Sequence, residues 1–156
     1  GSEITTRLFG NFLTWMQEKD SLAFVVATAN NISHLPPELM RKGRFDEIFY
    51  VDFPNQSERE KIISLHIGKR RSADLAKIDI PALARKMKGY CGADIESVVR
   101  DGIEAAFVAG KAHVTTEDMQ AAIGRTHPIS ETMKDAIEEM DKTYKSKKFT
   151  NASREE

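Results

Sequence analysis

Two arginines and an asparagine stand out as groups that could do chemistry. Arg41 and Arg44 lie three residues apart in Met40-Arg-Lys-Gly-Arg-Phe-Asp46, where a short helical turn ends beside a glycine. A guanidinium pair in that setting projects together, and its forked N–H donors match phosphate oxygens. Asn30 closes the run Ala23-Phe-Val-Val-Ala-Thr-Ala29, which is rich in β-branched and small apolar residues and ends on turn formers. Such a run reads as a strand buried on both faces of a parallel sheet. A polar residue at its carboxyl end sits where open α/β sheets bind their ligands. On these residues alone, surface arginines on an ordinary αβ segment are the competing reading.

A triphosphate needs more than these groups. A phosphate loop, G-x-x-x-x-G-K-[ST], wraps phosphates in backbone N–H groups and sends a lysine to the β and γ oxygens. The nearest approach ends on Gly110-Lys111, but Ala105 stands at the first glycine and Ala112 at the hydroxyl, and the run follows a helix pattern. Ile48-Phe-Tyr-Val-Asp52 imitates a Walker B strand, yet Phe53 stands where the catalytic glutamate belongs. The lone Cys91 excludes an intrachain disulfide and a cysteine-based zinc cluster, and suits a reducing compartment.

The elements that must position these groups follow from periodicity and punctuation. Ile4 to Lys19 reads as a helix with Leu8, Phe9, Phe12, Leu13 and Met16 on one face and Thr5 or Thr6 as cap. Trp15 reads as packing surface. Strands are expected at Ala23–Ala29 and Glu47–Asp52, separated by a turn with Pro36-Pro37 at its start. After Pro54-Asn55-Gln56 the pattern becomes purely helical. Ser57 and Glu60 offer a capping box for a helix running to Lys69-Arg70-Arg71, cations that favour the negative end of the helix dipole. Pro81 opens a helix from Ala82 to Met87, Gly92-Ala93-Asp94 begins one to about Ala109, and Thr115 with Asp118 caps another. Ser130 is expected to cap a last helix from Glu131 to about Lys145. The polar tail 146–156 is expected to be disordered.

ATANN…LPPELMRKGRFDEIFYVDFP resembles the second half of the ATPase core of AAA+ proteins, in the AAA clade in its narrow sense, with strand, asparagine, proline turn and paired arginines in the family's order. TWMQEK…FVVATANNISHLPPELMRKGRFDEIF is similar, within that clade, to cyanobacterial and plastid AAA proteins. The resemblance covers about Thr6 to Thr126 and starts just past Walker B. It implies an α/β fold: a partial P-loop NTPase-type parallel sheet in residues 1–54, then an all-α lid in 55–127, with an extra helix in 128–145. It implies that Asn30 is sensor 1 and that Arg41 and Arg44 are arginine fingers. His66, by type an ordinary helix residue, matches a histidine near the ribose and adenine. Gly92-Ala93 matches the turn that packs against the base, and Arg100 reads as a solvated helix residue. The parent would be an ATPase using ATP and Mg, working as a ring (usually a hexamer) that remodels a protein partner. This stretch alone is expected to be inactive and to hold no cofactor tightly. A non-enzymatic helical interaction module on the same scaffold is the alternative.

Composition sets the outer limits. Of 156 residues, 40% are hydrophobic and 30% charged, a globular profile. Lys plus Arg number 23 and Asp plus Glu 24, for a net charge of −1, so no nucleic-acid partner is expected. No apolar run is long enough to span a bilayer, and Gly1-Ser2-Glu3 shows no leader pattern, so a cytoplasmic protein without membrane contact or resident metal is expected. The resemblance also implies that the strands at 23–29 and 47–52 flank the strand leading into the phosphate loop. This sequence does not contain that strand, so they are expected to collapse together, to exchange between molecules or to be disordered.

Overall fold

A computed structural model describes residues 2–18, 23–32, 35–40, 45–147 and 149–153, with the backbone alone described at residues 2, 3, 5 and 6. The chain is mostly helical and divides into two compact units, residues 1–48 and 49–156.

In the first unit, α1 spans Ser2–Glu18. Thr5 and Thr6 therefore lie inside the helix instead of capping it. Leu13 is the buried member of its apolar stripe, while Leu8 faces solvent; Phe12 stacks on Trp15 with ring centroids 6.0 Å apart. Residues 23–29 do not form the expected strand: they run without regular secondary structure, and Phe24 is 92% exposed. A strand buried on both faces requires flanking strands to take its N–H and C=O groups, and the described residues supply none. A 3-10 turn at Pro37–Met40 buries Leu39.

The second unit carries α2 (Gln56–Arg71), a 3-10 segment (Ser72–Lys77), α3 (Ile80–Lys86), α4 (Gly92–Val108) and α5 (Thr116–Ile123). Their apolar faces converge on one core built from Ile63, Ile67, Leu83, Met87, Ile95, Val98, Val99 and Met119. α4 packs on α5 and α2, and α2 packs on α3. At Gly102 an added Cβ would meet Met119 Sδ at 2.8 Å, so the end of the methionine side chain packs against bare backbone of α4. Thr115 and Asp118 form the expected capping box of α5.

The cap of α2 is Asn55, not Ser57. Asn55 Oδ1 accepts from the Glu58 amide at 2.9 Å, and Glu58 Oε2 accepts from the Asn55 amide at 3.0 Å. Asn55–Glu58 has the same spacing as Ser57–Glu60, and asparagine is at least as good a cap as serine. Starting two residues earlier also lets Gln56 Nε2 donate to Glu60 Oε1 at 2.7 Å.

The last helix is broken in two, α6 (Ile129–Thr132) and α7 (Lys134–Ser146), where Met133 leaves the helical region at φ −127°. Gly89, at φ 82°, lies against Ser130 of α6, whose Oγ would be 2.9 Å from an added Cβ. Of the second expected strand only β1 (Phe49–Tyr50) forms. Its partner is β2 (Thr150–Asn151), from the tail expected to be disordered, in parallel register Phe49 to Thr150. The Tyr50 ring stacks on Tyr144 at 4.6 Å, the Ala152 amide donates to the Tyr50 carbonyl, and Ser153 Oγ donates to Glu58 Oε2. One edge of β1 is thus paired by residues 150–151 of the same chain. This two-stranded ladder is the only sheet among the described residues.

Candidate functional site

The two units hold different parts of the expected site. In the first, Asn30 is exposed at the bend that follows residues 23–29. Arg41 and Arg44 lie outside the described residues. In the second, His66 lies two turns beyond Arg59 on α2, and Gly92 and Ala93 open α4.

His66 is braced by two neighbouring side chains. Its side chain is 15% exposed, and its Nδ1 lies 3.2 Å from Arg70 Nη1, one turn further along the helix. Arg70 Nη2 donates in turn to Glu96 Oε1 of α4 at 2.8 Å. The same carboxylate oxygen is 3.6 Å from His66 Nδ1. The hydrogen bond from Arg70 holds the Glu96 carboxyl below the usual range, with His66 and Arg100 adding to it and burial opposing. Imidazole, guanidinium and carboxylate therefore form one chain of contacts bridging α2 and α4. Glu96 lies one turn beyond Gly92, so the imidazole is anchored a helical turn from the Gly92-Ala93 lead-in.

That lead-in is open. Gly92 and Ala93 are exposed, and a Cβ at Gly92 would meet nothing within 4 Å. Asp94 is already engaged: its Oδ2 accepts from the amides of Cys91 at 3.0 Å and of Ile129 at 3.2 Å. The Asp94 carboxylate thus offsets part of the positive end of α4.

Three polar clusters escaped sequence reasoning. Arg70 reads there only as one cation of a helix end; its i, i+4 spacing from His66 is a visible signal, but Glu96 lies on another element and is not. Arg59 is 7% exposed, with all its arms on neutral acceptors: Nε on the Ala84 carbonyl, Nη1 on that of Pro54 and Nη2 on Gln56 Oε1. Asp74, wholly inaccessible, accepts from His113 Nδ1 at 2.7 Å, Arg71 Nε at 2.8 Å and the Val114 amide at 3.2 Å. The bond from His113 leads in holding its carboxyl down to about 2, against the opposing effect of burial, with Val114 and Arg71 adding to it. Both are structural clamps, since every polar arm is occupied.

Known proteins place these features in a family. Residues 1–53 match the model of the ATPase family associated with various cellular activities (AAA), and residues 77–121 match the AAA+ lid domain. An uncharacterised AAA domain-containing protein ycf46 from Pyropia yezoensis is 40% identical over 152 residues, 97% of this chain and 31% of that protein. The protein of the same name from Guillardia theta is 41% identical over 140 residues, 90% of this chain and 28% of that protein. The ATP-dependent zinc metalloprotease FtsH 2 of Petrotoga mobilis is 38% identical over 101 residues, 65% of this chain and 16% of that protein. The chain thus spans about a third or less of the length of these relatives. No described helix is long and apolar enough to cross a membrane. An AAA segment followed, after residues 54–76, by an AAA+ lid places this chain in the AAA family of ATPases.

Proposed function

We propose that this chain is the finger-and-lid part of an AAA ATPase that couples ATP hydrolysis to remodelling of a protein partner in a ring of subunits. The observation that carries the reading is the order of parts: an AAA segment holding Asn30, Arg41 and Arg44, then a lid whose mostly buried, braced His66 lies a helical turn from an open helix start. The residues present fit the nucleoside end of ATP: His66 has a ring edge available, and Gly92-Ala93 leaves room for a flat base. They do not fit the triphosphate end, because the sequence has no phosphate loop and the described residues gather no set of three metal-ligating groups.

ATP with Mg would supply the phosphoryl group that passes to water. In this reading Asn30 orients that water or the γ-phosphate. Arg41 and Arg44 reach a neighbouring subunit's site and lend positive charge as the phosphoryl group leaves, a contribution on the order of 10³–10⁵ in rate for such fingers. His66 and the Gly92-Ala93 turn hold the nucleoside, so that hydrolysis is felt by the lid.

The test is Arg44→Ala in the longer ATPase chain that contains this segment. A finger acts on developing charge, so turnover should fall far more than ATP affinity. Mixing that variant with one disabled in its own phosphate loop should restore part of the activity. Weakened ATP binding with turnover intact would refute the finger role.

A further inference from the structure

We propose that Arg70 and Glu96 are positioning residues that hold His66 as an Nε2–H donor, so that α2 and α4 present a nucleoside with a fixed imidazole N–H. Its use on a nucleoside rests on the function proposed above; the setting of the ring does not. A guanidinium has hydrogens on every nitrogen and accepts nothing. The 3.2 Å approach of Arg70 Nη1 to His66 Nδ1 is therefore a hydrogen bond only when Nδ1 offers its lone pair. A neutral imidazole with a lone pair on Nδ1 carries its hydrogen on Nε2.

The alternative is a hydrogen on Nδ1 donated to Glu96. The geometry disfavours it: Oε1 is 3.6 Å away, beyond hydrogen-bond reach, and already takes the Arg70 Nη2 hydrogen at 2.8 Å. Glu96 thus aims the guanidinium, and the guanidinium sets the ring. Among the described residues nothing accepts from His66 Nε2, and no buried side-chain nitrogen or oxygen lacks a partner. Nε2 therefore opens to solvent. A donor there complements a purine ring nitrogen or a ribose oxygen, both of which offer lone pairs, and rejects an N–H in the same place. Arg70 and Glu96 are both partly exposed, so their ion pair adds little to the stability of the fold. The variants should fold.

The test uses the chain labelled with ¹⁵N at about pH 8.5, where an ordinary imidazole is neutral. Two-bond ¹H–¹⁵N correlation spectra separate the two neutral ring forms. His66 should show the Nε2–H pattern, Arg70→Met should collapse it toward a mixture, and Arg70→Lys, again donor-only, should restore it in part. An Nδ1–H pattern in the parent chain, or no change in Arg70→Met, overturns the proposal. In the longer ATPase, Arg70→Met should raise KM for ATP about three- to tenfold with kcat held, the size of one hydrogen bond. A correctly set ring with KM unmoved in both Arg70→Met and His66→Phe would overturn the nucleoside use while leaving the positioning intact.

Discussion

The two units of this chain bury apolar residues with unequal success. In residues 49–156 the large aliphatic side chains of α2 to α5 meet one another, and Ile63, Ile67, Ile95 and Val98 are wholly inaccessible. In residues 1–48 an equally apolar stretch, Ala23 to Ala29, leaves Phe24 and Val26 in solvent. Hydrophobicity is not what separates them. A helix satisfies its own backbone and needs only a face to pack against, whereas a strand must first find partners for every other N–H and C=O. The lid helices find their faces within a few tens of residues; the 23–29 run finds no ladder among the described residues.

The comparison can be broken at three points. The largest effect should come from the lid core. Leu83→Ala or Ile63→Ala should cost about 2–5 kcal/mol in urea unfolding, while Val26→Ala should stay within about 0.5 kcal/mol. A comparable loss at Val26 would mean that its stretch is packed in solution. Next is acid. Because the Asp74 carboxyl is held down to about 2, its contribution to lid stability is present above the ordinary carboxyl range near pH 4. It should fade as pH falls from about 4 toward 2. Asp74→Asn should flatten that part of the stability–pH curve, and an unchanged slope would show the clamp idle. The smallest effect concerns the tail. Burial, then Asp52, Asp141 and Tyr144, push the Tyr50 hydroxyl up to about 12. Removing residues 147–156 should bring its alkaline titration, read from tyrosinate absorbance, back toward about 10. A midpoint that stays put would mean that β2 does not cover Tyr50.

What was legible in the sequence follows the same division. The helix from Gly92 and the Thr115–Asp118 cap are local patterns, and both stand where periodicity and capping chemistry put them. The cap of α2 lies two residues before the expected one because Asn55–Glu58 and Ser57–Glu60 satisfy one rule equally well; the bonds of Gln56 to Glu60 and Pro81 go with the earlier start. β2 was illegible: Thr150 favours a strand but Asn151 does not, and their pairing to Phe49 and Tyr50 depends on where α7 delivers the chain. For the site, the sequence pointed to His66 but could not reveal its brace, since Glu96 joins it across 26 residues from Arg70.

Arg59 bears on how the lid carries load. A pull on the chain at Pro54 would, on an isolated helix, peel α2 open from its first turn, one hydrogen bond at a time. Here the Arg59 guanidinium ties the Pro54 carbonyl to that of Ala84, and Gln56 Nε2 reaches the Pro81 carbonyl. Tension arriving at Pro54 is therefore shared with α3 and resisted by several bonds in parallel, which must break together. If the longer protein works by pulling, force would reach the lid as a block displacement and not as unravelling of its first helix.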